Sequence, residues 1–276
     1  ATDLIDRDRL VNLTIDLTNI PSPTGFEGDV ARAYHEVLRG SGFDATLQPI
    51  GDERYNAIGR LQGQGGGKSL MFNGHLDTSL GPEQAHRGIG YQCKGTLVDN
   101  EWIYGMGSFN MKFALANYVT AVEAIRKAGI KLGGDVVIAA VAGEIEKAPV
   151  NEYEGRQYQG YGVGTKYAIT HGAVADYCIL GEPTNMMLIP RHCGGVRWSP
   201  TGNARSVPWP VLLLDTGPVH SRDPVRRAGV AHPPAIQHLP RWQLGAPCPV
   251  RVRPAWRRRR AGREPESAGN RDAVAG

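Results

Sequence analysis

The chain is poor in cysteine, and the four it has, Cys93, Cys178, Cys193 and Cys248, share no Cys-x-x-Cys spacing. That scatter argues against a thiolate zinc knot and against a disulfide framework, so buried free thiols are expected. Long apolar runs are also missing. No stretch approaches the ~18 residues of a membrane span, and no membrane partner is expected. The first residues, Ala1-Thr2-Asp3-Leu4, lack the basic start and apolar stretch of a signal peptide, so the expected location is cytoplasmic. Lysine is absent after Lys166. Charge divides the same way: residues 1–190 hold 16 Lys and Arg against 22 Asp and Glu, whereas residues 191–276 hold 15 against 5. The net charge of +4 therefore comes entirely from the second segment.

With 276 residues, 41% of them hydrophobic, the chain can bury a full core in one large or two smaller domains. Leu10, Leu13 and Leu17 predict an amphipathic helix over Asp6–Thr18, ended by the turn Pro21-Ser22-Pro23-Thr24-Gly25. A second helix is predicted over Glu27–Gly40, with Val30, Ala33, Tyr34, Val37 and Leu38 on one face. Asp44–Ile50 and Tyr55–Leu61 alternate as strands, and the glycine-rich Gln62–Lys68 reads as a hairpin tip. It is not a phosphate loop, because the first glycine of that spacing falls on Gln62. Ser69–Asn73 and Trp102–Tyr104 read as short strands, Met111–Ala128 as a helix, and Asp135–Val141 as a central strand covered on both faces. Gly164–His171 follows as a helix and Asp176–Leu180 as a strand. The alternation predicts an α/β fold with a mostly parallel sheet sandwiched by helices.

Beyond Trp198 no period of either kind is sustained, and 12 of the 19 prolines lie after Ser199. Stretches such as Pro208-Trp209-Pro210 and Arg257-Arg258-Arg259-Arg260 cannot form long elements. The division expected is a folded portion over 1–198 and an irregular Pro/Arg-rich tail over 199–276. We read the tail as the product of a coding frame lost near Trp198–Gly202, with a natural disordered basic tail as the alternative. Nucleic acid is not an expected partner, since the arginines and Trp242 and Trp256 come with no folded module and no lysine.

Four strings carry the chemistry: Gly74-His75-Leu76-Asp77-Thr78, Gly107-Ser108-Phe109-Asn110-Met111-Lys112, Gly143-Glu144-Ile145-Glu146 and Gly181-Glu182-Pro183-Thr184. Each follows a predicted strand, the position where ligands gather in open α/β sheets. Their order resembles the metallopeptidase family of acetylornithine deacetylase, succinyl-diaminopimelate desuccinylase and carboxypeptidase G, whose motifs run His-x-Asp, Asp-Met-Lys, Glu-Glu and Gly-Glu-Pro-Thr. The resemblance covers about residues 1–200 and implies a zinc-peptidase-like catalytic domain. It implies a metal-dependent hydrolase cutting a C–N amide bond, with N-acyl amino acids or dipeptides as substrates. An aromatic amine deaminase like 5-nitroanthranilate aminohydrolase, and an inactive descendant, are the alternatives.

By the same resemblance His75 and Glu182 bind a first metal, Asp77 accepts the other ring N–H of His75, and Glu144 is the general base. The chain departs from the family at the second metal. Asn110, which offers the first metal one neutral carbonyl oxygen, stands where the family has a bridging Asp, Ile145 stands where it has a second ligating Glu, and Glu146, displaced by one residue, is a further candidate ligand that needs a bulge or turn to reach inward. No late histidine matches, since His220, His232 and His238 sit in unmatched sequence. One divalent ion per chain, zinc, manganese or cobalt, is therefore expected. The family's lid, which forms its dimer, has only Arg191-His192-Cys193-Gly194-Gly195 as a recognisable start, so no family dimer is expected.

Overall fold

Leu10, Leu13 and Leu17 line the buried side of α1 (Arg7–Thr18), whose N-cap Asp6 accepts from the Arg9 N–H at 3.0 Å. In a computed structural model the described residues are 1–145 and 154–184, with the backbone of 194–196, 212–214 and 250–251. Helix α2 (Gly28–Gly40) buries Val30, Ala31, Tyr34 and Leu38. The remaining elements are β1 (Asp44–Gly51), β2 (Arg54–Leu61), β3 (Leu70–His75), β4 (Thr96–Val98), β5 (Trp102–Tyr104), α3 (Phe113–Lys127), β6 (Val136–Val141), α4 (Val163–Thr170) and β7 (Tyr177–Leu180). Backbone contacts divide the chain into two units, Ala1–Gly181 with Pro247–Gly276, and Glu182–Ala246.

In the first unit the main sheet runs β1-β2-β6-β3-β7. Strands β6, β3 and β7 are parallel, while β1 and β2 join antiparallel, so the α/β sheet is mixed. Every residue of β6 is buried, as its unbroken apolar run predicts. Val136, Ile138 and Ala140 pack toward α1, α2 and α3, and Val137, Ala139 and Val141 pack toward Ala168 of α4. The sheet is thus covered by helices on both faces. Strand β7 is the last in the sheet among the described residues, and Tyr177, Ile179 and Leu180 on it are exposed. A second sheet joins β4, β5 and β10 (Val250–Arg251). The second unit holds the antiparallel pair β8 (Gly194–Val196) and β9 (Leu212–Leu214). None of the described helices is long and apolar enough to cross a membrane.

Several local expectations need correction. Gln62–Lys68 is no hairpin tip: it links β2 to β3, which β6 separates. Its glycines serve a backbone packing instead, since a Cβ on Gly63 or Gly67 would lie 2.5 Å from Gly134. Gln64 N–H also donates to Leu132 O at 2.8 Å, fastening the segment beside the start of β6. Helix α3 begins at Phe113, because Asn110 and Met111 have non-helical backbone angles within the kinked turn Ser108–Lys112. Cys93 is partly buried and Cys178 is exposed, both as free thiols, whereas buried thiols were expected. Cys178 lies on β7, the last strand of the sheet among the described residues, where its neighbours Tyr177, Ile179 and Leu180 are exposed as well. Cys193 and Cys248, Glu146, the frame-loss point and most of the Pro/Arg-rich tail lie outside the described residues.

Candidate metal centre

Parallel β3 and β6 end side by side, with His75 opposite Val141, and this brings the first and third motifs to one end of the sheet. His75 is the last residue of β3 and is 1% exposed. Its partner glycine has a packing role. A Cβ on Gly74 would lie 2.6 Å from the Met111 methyl, and the His75 N–H donates to Met111 Sδ at 3.1 Å. The second motif is thereby seated against the first. The Asn110–Met111 peptide is cis. Lys112, wholly buried, donates to Leu17 O at 2.9 Å and Ile20 O at 2.7 Å, tying the end of this turn to the end of α1. Burial pulls its ammonium down to about 7.

The ring of His75 is fixed at both nitrogens. Nδ1 faces the Asp77 main-chain oxygen at 2.8 Å, which assigns the ring proton to Nδ1. Nε2 then presents its lone pair to Asn110 Oδ1 at 2.8 Å, with Glu144 Oε2 at 3.7 Å. Two acceptors 2.8 Å apart are satisfied by a cation between them or by an amide turned to donate. His75, Glu144 and Glu182 each offer one ligand atom, and these three atoms lie within 4.8 Å of one another. Imidazole nitrogen with carboxylate and amide oxygens is a donor set that suits a divalent metal ion.

The structure changes the part played by the Asp77 carboxylate. It was expected to accept the His75 ring N–H, but Oδ1 is 3.7 Å from Nδ1, and the backbone oxygen of Asp77 takes that place. The carboxylate instead accepts from the Glu144 N–H at 3.0 Å and the Ile145 N–H at 3.1 Å. It joins the first motif to the third. Ile145, unable to ligate, contributes its peptide here. Glu144 follows Gly143, whose φ of +67° suits glycine. A Cβ at Gly143 would also lie 2.6 Å from Arg54 Nη2.

Sequence reasoning missed the support beneath these residues. The segment Pro21–Gly25, read only as a turn, runs beside Leu76–Thr78: Ser22 Oγ donates to Leu76 O at 2.8 Å, and Thr24 Oγ1 to Asp77 Oδ2 at 3.0 Å. Glu27 and Arg54, both buried, form a two-pronged ion pair at 2.8 Å per contact. The available signal was slight: an arginine directly before the strand predicted over Tyr55–Leu61, of a residue type rarely buried without a partner.

The fourth motif is set by a close approach. A Cβ at Gly181 would lie 2.2 Å from Tyr118 Oη, and that hydroxyl donates to Asn73 O at 2.7 Å. Gly181→Ala is therefore expected to destabilise the fold by about 1–3 kcal/mol, the usual cost of overpacking. Urea unfolding measures it, and an unchanged midpoint would show that Tyr118 yields freely.

The family model described as Peptidase family M20/M25/M40 matches residues 71–233, which carries the likeness past residue 200. A succinyl-diaminopimelate desuccinylase from Gluconacetobacter diazotrophicus is 32% identical over 192 residues, covering 67% of this chain and 44% of that protein. The enzyme of the same name from Dinoroseobacter shibae is 29% identical over 174 residues, covering 63% and 42%. The chain thus spans less than half the length of the curated relatives it matches. Among solved structures, a tripeptidase from Staphylococcus aureus superposes with a TM-score of 0.50 at 19% identity, over 64% of this chain and 43% of that one. Human carnosine dipeptidase 1 gives 0.50 at 16% identity, over 71% and 42%. These two likenesses establish the α/β fold. Because the family match takes in more than half of the 276 residues, the chain belongs to peptidase family M20/M25/M40.

Proposed function

We propose that residues 1–198 are the catalytic-domain portion of a metal-dependent hydrolase that cleaves a C–N amide bond, of deacylase, aminoacylase or carboxypeptidase type. The observation that carries this reading is the convergence of His75 Nε2, Asn110 Oδ1 and the carboxylates of Glu144 and Glu182. The substrate is a small molecule, an N-acyl amino acid or dipeptide. The names of the relatives, desuccinylase and peptidase, favour an amide over an aromatic amine.

His75, Asn110 and Glu182 would hold one divalent cation, zinc, manganese or cobalt. When bound, such an ion supplies Lewis-acid polarisation of the scissile carbonyl and acidifies water. Glu144 takes the proton of the attacking water and returns it to the leaving amine nitrogen. Its position within 4.8 Å of the other ligand atoms also permits ligation, and we assign it as base from its place in the Gly-Glu motif. Asp77 holds the peptide units of Glu144 and Ile145 in place.

Asn110 and Ile145 weaken the second metal position, since a neutral amide oxygen and an alkyl group replace two carboxylates. Elemental analysis of the purified, dialysed chain is therefore expected to return one equivalent of divalent metal. Two equivalents would overturn the single-ion centre. None, even after incubation with cobalt(II), would favour the second reading, a non-catalytic descendant, for which Asn110 and Ile145 are the supporting observations.

A further inference from the structure

We propose that Thr24 is a positioning residue for Glu144, acting through the Asp77 carboxylate. The proposal rests on the reading of Glu144 as the general base. Thr24 is fully buried, and its hydroxyl donates to Asp77 Oδ2 at 3.0 Å. The same oxygen accepts the Ile145 N–H at 3.1 Å, while Oδ1 accepts the Glu144 N–H at 3.0 Å. One carboxylate therefore links residue 24 to the peptide on either side of the base's Cα.

The hydroxyl decides the carboxylate's orientation. Rotation of the Asp77 head group exchanges the main-chain donors of the Glu144 turn for the His75 ring, whose Nδ1 is already 3.7 Å from Oδ1. A third donor on Oδ2, fixed in space, opposes that rotation. Thr24 is itself firmly placed. Its N–H donates to Thr78 O at 3.2 Å, and Thr78 N–H to Ser22 O at 2.8 Å, so the turn lies against β3's extension as a short ladder. The next residue, Gly25, has a φ of +94° and donates to Glu27 Oε1 at 2.9 Å, and Glu27 is locked by Arg54. The Thr24 hydroxyl thus transmits the position of a rigid buried turn to a carboxylate, and the carboxylate transmits it to the base.

Thr24→Val removes the hydroxyl with little change of shape, and Thr24→Ser restores it. Amide hydrogen exchange followed by NMR is expected to speed up at Glu144 and Ile145 about tenfold in Thr24→Val, the scale of one hydrogen bond to a charged group. Thr24→Ser should return both to the rates of the parent. The amides of Leu76 and Thr78, which donate to Val141 O and Ser22 O, are expected to be unchanged in both variants. Turnover of an N-acyl amino acid should lose kcat about tenfold in Thr24→Val at unchanged KM, again with rescue by serine. Parent-like exchange at Glu144 and Ile145 in Thr24→Val, absence of rescue by serine, or equal acceleration at Leu76 and Thr78 would each overturn the proposal. The exchange measurement needs no turnover. Equal turnover by Glu144→Gln and the parent would overturn the base assignment and the proposal with it. Impaired Glu144→Gln beside unaltered exchange in Thr24→Val would overturn the proposal alone.

Discussion

Glu144→Gln is expected to keep its metal and lose turnover by ~10²–10⁴-fold, the range for removal of a general base. That loss corresponds to about 2.7–5.4 kcal/mol of barrier. Glutamine has the same length and keeps the peptide N–H that Asp77 accepts, so the turn after β6 should hold its shape. It cannot take a proton from water. The side chain is 40% exposed, which leaves it within reach of solvent and substrate, while His75 beside it is 1% exposed. The experiment also separates the two parts open to Glu144. If the residue is chiefly a ligand, the amide should lower cobalt(II) affinity along with activity. If it is the base, affinity stays and kcat falls. Parent-like hydrolysis of any amide substrate that the parent turns over would remove Glu144 from the mechanism.

Local pattern in the sequence was enough to place most helices and strands of the first 184 residues. The run over Asp135–Val141 announced β6 because burial on both faces leaves no alternation, and Leu10, Leu13 and Leu17 announced α1 because one buried stripe repeats at helical spacing. Motif order also placed His75, Glu144 and Glu182 together, and the structure brings their ligand atoms within 4.8 Å. Asn110 joins them through His75 Nε2.

Neighbour relations were not legible in the same way. Spacing says that a strand exists, but not that β6 lies between β2 and β3, and the mistaken hairpin at Gln62–Lys68 follows from that limit. The family resemblance paired the Asp77 carboxylate with the ring of His75, two residues away in the chain. Its actual donors, at residues 144 and 145, reach it only because β6 lies beside β3. The Pro21–Gly25 turn was underestimated for a related reason. Proline and glycine mark the turn locally, whereas its hydrogen bonds to Leu76 and Asp77 span more than 50 residues of chain.

Arg54→Met is expected to destabilise the fold by about 3–5 kcal/mol, because it leaves the Glu27 carboxylate buried without its counter-ion. Glu27 is 0% exposed, and the arginine supplies two charge-assisted contacts at 2.8 Å; once it is gone, the Gly25 N–H at 2.9 Å is what remains among the described residues. A loss of that size is a large part of the 5–15 kcal/mol typical of a domain. Urea unfolding followed by far-ultraviolet circular dichroism measures it. The double variant Glu27→Met/Arg54→Met removes both charges, and most of the loss should be recovered, since apolar replacement of a buried pair is often neutral. The contrast isolates the unpaired charge from the lost packing volume. Arg54 also lies against Gly143, immediately before Glu144. The double variant should therefore recover stability without recovering full turnover, as the guanidinium beneath the Glu144 turn is still missing. A loss under about 1 kcal/mol in Arg54→Met would mean that water reaches Glu27 and that the pair does not anchor the turn.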